Sequence, residues 1–311
     1  MDTVLLQGDP NSSLSPLILI HAISGLALPY FALGALSGTF DNGTASRPIY
    51  GISSPIYRSD SRYLPKSLSQ LAAQYIQIIR DEIQPRGPYI LGGWSMGGMI
   101  AVEMASLLQA QNEDVQHVLL IDSLNPELYP RFENAKDHCT VAAITYNNIA
   151  RQMNAPELGY DPSDADPSME EIWSEISSHD ESGNFSSSDS EEEDDDDGLF
   201  GPRMMQRMQT HIFYSLALLG EKTPEQTDSP HLKKTDVTLI KCSTLARLSS
   251  HISKERRAFA VRINAHPTLG WPEDRFRSFN TILFSGQHDS CFDSLHAREL
   301  TTITRDVLAG L

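Results

Sequence analysis

One stretch, YILGGWSMGGMIAVEMASLL at residues 89 to 108, constrains the possible folds more than any other. An apolar run from Pro88 to Gly92 reads as a buried strand, and Met96 to Gln109 reads as a helix. Between them lies Gly93-Trp94-Ser95-Met96-Gly97, a G-x-S-x-G pattern. A sharp strand-to-helix turn forces the serine into strained φ/ψ angles, and side chains at the flanking positions would collide with neighbouring backbone. Glycine at both positions removes that collision. The turn then lifts the Ser95 hydroxyl above the sheet edge, beside a helix N-terminus. There the Met96 N–H and the helix dipole can stabilise an oxyanion. The plainer alternative is a glycine-rich turn carrying an incidental serine.

A turn of this kind needs a sheet around it, and the rest of the chain supplies one. Val4 to Gln7, Pro16 to Ile20 and Ile49 to Ser53 read as strands, with a polar turn, GDPNSS, between the first two. Ser67 to Ile83 places Leu68, Leu71, Ala72, Tyr75, Ile76 and Ile79 on one helical face, and Pro85 ends it. Val115 to Ile121 is a further apolar strand. The alternation predicts an α/β fold, a mostly parallel sheet flanked by helices in one domain spanning 1–311, and a G-x-S-x-G turn at the edge of such a sheet resembles the α/β-hydrolase type. The rhythm breaks from about Asn125 to Lys234, where Asp137 to Met153 and Met204 to Leu219 read as helices of a lid insertion (126–234). Within it, residues 181–198 are too polar to offset their ordering entropy and are expected to be disordered. The sheet pattern returns at Asp236 to Cys242 and Ser278 to Phe284, and a closing helix follows from about Leu295 to Leu308.

A serine hydroxyl needs a base, usually a histidine oriented by a carboxylate. Of ten histidines, His288 follows the strand FNTILF and the turn Ser285-Gly286-Gln287. That places it in a loop at the C-terminal edge of the last strand, where sites of α/β folds gather. His266 is the runner-up, His296 lies in the closing helix, and His117 starts a strand at the wrong end of the sheet. No carboxylate sits at the exit of the penultimate strand. The strand following the nucleophile, however, ends in Ile121-Asp122, so Asp122 is favoured as the acid over Asp274 or Asp289. Asp122 could instead close a turn before Pro126. A second oxyanion donor should come from the loop His21-Ala22-Ile23-Ser24-Gly25, with the Ile23 N–H favoured and Ala22 the alternative. His21 is expected to be structural.

The formal charge of −17 argues against nucleic-acid binding and against anionic membranes. Eight of the acids lie between Asp189 and Asp197, which leaves the remainder at about −9. Cys139, Cys242 and Cys291 show neither metal spacing nor a disulfide framework, which fits a reduced, cytoplasmic compartment. No metal or cofactor is expected. The apolar stretch 14–36 is broken by His21, Ser24, Gly25, Pro29 and Gly34, so a strand, loop and helix start explain it better than a membrane span.

Together these pieces resemble the thioesterase domains of non-ribosomal peptide and polyketide synthases. LILIHAISGLALPYFAL resembles their first core strand and oxyanion loop, and YILGGWSMGGMIAVEMA their nucleophile elbow. VLLIDS is similar to their acid-bearing strand, and LGWPEDRF with ILFSGQHDSCFD to their Gly-Trp and histidine loops. The resemblance covers about residues 1 to 130 and 235 to 311 and assigns nucleophile, acid and base to Ser95, Asp122 and His288. It implies a thioesterase acting in trans on an acyl or peptidyl carrier domain of a separate synthase, by hydrolysis or cyclisation. A basic rim of Lys233, Lys234, Lys254, Arg256, Arg257 and Arg262 is expected to receive the carrier. A carboxylesterase or lactonase acting on free small molecules, or a non-catalytic binding protein, are the competing readings.

Overall fold

The computed structural model describes residues 2–36, 46–57, 65–155, 157, 201–220 and 232–311; the acidic segment 181–198 lies outside them. Seven strands form among the described residues: β1 (Thr3–Gln7), β2 (Leu17–Ile20), β3 (Ile49–Ile52), β4 (Tyr89–Trp94), β5 (Val115–Ile121), β6 (Leu232–Cys242) and β7 (Phe276–Phe284). They make a single sheet in the order β1-β3-β2-β4-β5-β6-β7, parallel except for β1. The central strands LILI, YILGGW and VQHVLLI are almost wholly buried, as continuous apolar runs must be when both faces are covered.

The helices that cover those faces are α1 (Leu68–Glu82) and α2 (Met96–Ala110) on one side and α6 (Ala297–Ala309) on the other. Leu71, Tyr75 and Ile79 of α1 pack in one core with Ile100 and Met104 of α2, whereas Leu300 and Leu308 of α6 join Leu19, Trp94 and Ile121 in a second. Ser67 starts α1, its hydroxyl accepting the Gln70 N–H at 3.2 Å. Between β5 and β6 the chain forms α3 (Ala135–Gln152) and α4 (Pro202–Gly220). Cys139, Ala142 and Tyr146 of α3 bury against Met208, Ile212 and Leu216 of α4 in a third core that also takes in Leu26 of the loop after β2.

Three features depart from the expectations or were absent from them. The pairing of the first strand was not foreseen: GDPNSS joins β1 to β2, yet β1 runs antiparallel to β3, both edges of β2 being taken by parallel β3 and β4. A helix α5 (Lys254–Ala265) and a 3-10 turn at Leu28–Ala32 also form. Of α5 only Arg256 is buried, so KERRAFAVRINA carries no apolar stripe to announce it. Stretch 14–36 divides into β2, a loop and that turn, and among the described residues no helix is long and apolar enough to cross a membrane. All three cysteines are buried, and none is joined in a disulfide.

Candidate active site

The turn from β4 into α2 is as tight as its glycines imply. Ser95 sits at φ 57° and ψ −123°, a strained conformation for a residue with a side chain. A Cβ on Gly93 would lie 2.3 Å from the Gly97 carbonyl carbon, and one on Gly97 only 2.2 Å from the Ile20 oxygen. Backbone therefore occupies the space that any side chain would need. The strain is held from several sides. The Ser95 N–H donates to Ile121 O at 3.0 Å. The Tyr30 hydroxyl accepts the Trp94 N–H at 2.9 Å and donates to Ile20 O at 2.5 Å, stapling the ends of β2 and β4.

The exit of β5 meets the loop after β7 beside this serine. Asp122, itself at φ 43°, holds Oδ2 2.7 Å from His288 Nδ1, and His288 Nε2 lies 3.0 Å from Ser95 Oγ. A carboxylate can only accept, so Nδ1 carries the proton and Nε2 is free to accept the Ser95 hydroxyl. The Asp122 side chain is 10% exposed and that of His288 38%. Burial opposes the charge on Asp122, but hydrogen bonding and charge from His288, with the Cys242 N–H at 2.9 Å on Oδ1, hold its carboxyl below the usual range. Burial likewise opposes a charge on His288, yet the hydrogen bond and charge of Asp122 prevail and raise its pKa to about 9.

The Gly-Trp loop braces the acid from behind. Trp271 Nε1 donates to Ser123 O at 2.8 Å, and Ser123 Oγ donates to Ser95 O at 2.6 Å. Asn125 bonds the same loop twice, its N–H to Leu269 O at 3.0 Å and its side-chain amide to Gly270 O at 3.2 Å. Residues flanking the acid are thus tied to both the serine turn and residues 269–271.

Ser95, Asp122 and His288 open into a cavity of about 490 Å³. Ile23 and Met96, the two expected oxyanion donors, line it with them. Leu26 and Met99 contribute apolar wall, α4 adds Leu216 and Leu219, and α3 adds Thr145, Asn148 and Gln152. An apolar body with a few polar groups and a hydrogen-bonded serine at one end suits a carbonyl attached to a longer chain.

Other candidates fall elsewhere. His266 ends α5, its Nδ1 accepting N–H groups of Thr268 and Gly270 within its own loop. His296 precedes α6 and contacts Ser290 O, while His117 is buried in the first half of β5 opposite Asp236. Burial lowers the His117 pKa to about 4. Asp274 is exposed at the start of β7, the end of the sheet opposite the serine, so it is no substitute acid. Asp289 lines the cavity but leaves His288 Nδ1 to Asp122. His21 is fully buried in hydrogen bonds, in line with a structural role.

The expected basic rim is corrected in two places. Lys233 and Lys234 open β6, again at the far end of the sheet. Arg256 is buried, its Nε on both oxygens of Asp137 at 3.0 and 2.9 Å and its guanidinium 4.1 Å from the Phe132 ring centre. Sequence reasoning also passed over Tyr30 and the Cys242 amide. Neither leaves a mark in the sequence, since a tyrosine hydroxyl or a backbone N–H gains its role only from what lies opposite.

Comparison with known proteins identifies the family. A family model described as a thioesterase domain matches residues 16–158. Over 316 residues, 100% of both chains, the protein is 46% identical to "Thioesterase pytI" of Aspergillus terreus. It is 41% identical to "Thioesterase pynI" of Aspergillus niger over 99% of each chain. A 128-residue stretch, 41% of this chain, is 39% identical to 6% of "Non-reducing polyketide synthase crz7" of Cladonia metacorallifera. The NocB thioesterase domain, solved in covalent complex with a fluorophosphonate nocardicin G analog, shares the fold at a TM-score of 0.60 and 22% identity over 98% of each chain. With full-length identity well above what chance or fold alone produces, this chain belongs to the thioesterase family.

Proposed function

We propose that this chain is a trans-acting serine thioesterase of polyketide or non-ribosomal peptide biosynthesis. Its substrate is an acyl chain held as a thioester on the phosphopantetheine arm of a carrier domain in a separate synthase. Ser95 Oγ attacks the thioester carbonyl carbon while His288 Nε2 takes its proton, and Asp122 balances the imidazolium that forms. The N–H groups of Met96 and Ile23 receive the oxyanion. When the C–S bond breaks, His288 returns the proton to the departing thiol, leaving the chain esterified to Ser95. Water, or a nucleophile within the chain, then attacks the ester with His288 again as base, so the product leaves as a free acid or a ring. The helices α3 and α4 act as the lid, forming the acyl wall and limiting water.

The observation that carries this reading is the unbroken hydrogen-bonded series Ser95–His288–Asp122 at the edge of a cavity. Each member stands at the C-terminal end of a different strand, a placement with no structural purpose for an isolated loop histidine. The test is intact-mass analysis after mixing with an acyl-pantetheine thioester. An acyl adduct on the native protein but not on Ser95→Ala is expected. Turnover surviving in Ser95→Ala would overturn the reading. Much faster turnover of simple aryl esters than of carrier-bound thioesters would move it to a general carboxylesterase.

A further inference from the structure

Behind the Ile23 amide lies a buried polar cluster that the chemistry above does not use. Three consecutive carbonyls of the loop after β2 each accept a hydrogen bond from a ring. His21 Nδ1 is 2.6 Å from Ala22 O, His211 Nδ1 is 2.9 Å from Ile23 O, and the Tyr57 hydroxyl donates to Ser24 O. A carbonyl only accepts, so both histidines carry their proton on Nδ1. His21 Nε2 is then left to accept the hydroxyl of Tyr75 from α1. Burial keeps both imidazoles neutral, lowering their pKa to about 3 for His21 and about 4 for His211. The rings pack closely, His21 and His211 edge to face at 5.1 Å, and Gly25 (φ +80°) makes room for them. A Cβ there would lie 2.9 Å from both the His211 and the Tyr57 ring.

We propose that His21, His211 and Tyr57 are positioning residues for the oxyanion site, fixing the peptide planes that present the Ile23 N–H to the reacting carbonyl. The inference rests on Ile23 being an oxyanion donor. In a trans peptide the N–H points away from the C=O. The Ala22–Ile23 peptide has its oxygen drawn inward by His21 Nδ1–H and by the Gly25 N–H at 3.0 Å. Its N–H therefore faces the other way, and Ile23 is among the residues that line the cavity. A hydrogen bond at the carbonyl also polarises the amide, making it a stronger donor. His211 belongs to α4, whose Leu216 and Leu219 form acyl wall, so the helix that contacts the chain also holds the peptide next to the oxyanion donor, Ile23–Ser24.

The test measures kcat, KM and the rate of phosphonylation by an alkyl fluorophosphonate, whose phosphoryl oxygen takes the oxyanion position. His211→Leu and Tyr57→Phe remove one donor each, and His211→Asn keeps a donor near the Nδ1 position. His21→Leu and His21→Asn form the parallel pair. The donor-less variants are expected to lose about 10–100-fold in kcat and in phosphonylation rate together, with KM little changed. The Asn variants are expected to recover most of that loss. Folded Leu and Phe variants that keep both rates within twofold of native would overturn the proposal, as would Asn variants no better than Leu. If His21→Leu does not fold, Tyr57→Phe, which retains its ring, and the His211 pair decide. Native protein that is never phosphonylated at Ser95 would instead refute the serine chemistry on which the proposal rests.

Discussion

Changing Asp122 to Asn removes one charge and almost no volume, and the surroundings dictate how the new amide must sit. Oδ1 of Asp122 accepts the Cys242 N–H at 2.9 Å and Oδ2 accepts His288 Nδ1–H at 2.7 Å. The Cys242 donor is backbone at the end of β6 and cannot reverse its polarity. The substituted side chain must therefore turn its oxygen to Cys242 and its NH₂ to His288. Nδ1 then has to accept, the proton moves to Nε2, and that proton points at Ser95, where a base is needed. The opposite flip sets NH₂ against the Cys242 N–H in a nearly buried site, at a cost of about 1–3 kcal/mol. The competent tautomer also loses the carboxylate that stabilises the imidazolium. Together these predict a fall in kcat/KM of about 10³–10⁴-fold, or about 4–5.5 kcal/mol of transition-state stabilisation. The assay is steady-state turnover of an acyl-pantetheine thioester across pH. The base acts as neutral imidazole, so native activity should rise with pH along a limb governed by the raised His288 pKa of about 9. Without the Asp122 carboxylate, burial is opposed chiefly by the weaker charge of Asp289, and the residual limb should shift to lower pH. A loss below tenfold, or a limb that does not move, would refute the assignment of Asp122. Asp274→Asn, at the far end of the sheet, should leave both unchanged.

Trp271→Phe keeps a ring but leaves the buried Ser123 carbonyl without the Nε1 donor, predicting a loss of about 1–3 kcal/mol by denaturant unfolding. Because Ser123 also bonds Ser95 O, acylation should slow as well, which rapid-quench measurement would register. Arg256→Met leaves Asp137, whose side chain is 10% exposed, with the Glu133 N–H but without its charge partner, and predicts a destabilisation of about 3 kcal/mol. The double variant Arg256→Met with Asp137→Leu should regain most of that; a double variant as unstable as the single one would show that the packing on Phe132 and the hydrogen bonds to Pro130 O and Arg131 O, not the charge, matter.

Much of the fold was legible because its information is local. A strand must alternate or run apolar and a helix must repeat at 3.6 residues, so β2, β4, β5, α1 and α2 announce themselves within a few positions of their bounds. Where burial does not set the pattern, as in α5, the sequence is silent. Pairing is also non-local: β1 lies beside β3 rather than β2, and nothing within residues 3–20 encodes that choice.

At the site the same division holds. By itself the sequence determined the serine turn, since Gly93 and Gly97 are the residues that backbone atoms 2.2–2.3 Å away will tolerate. It also singled out Asp122 and His288, because a strand's C-terminal end is a place that periodicity can locate. Only the tertiary structure decided which atoms meet. Separations of 166 and 193 residues close into two hydrogen bonds, and a separation of 188 divides His211 from the loop carbonyl it holds. Side-chain type shows what a residue can donate or accept. The packing of β2, α1 and α4 against one another settles what it faces, which is why His21 reads as a bland buried histidine until the Ala22 carbonyl is seen beneath it.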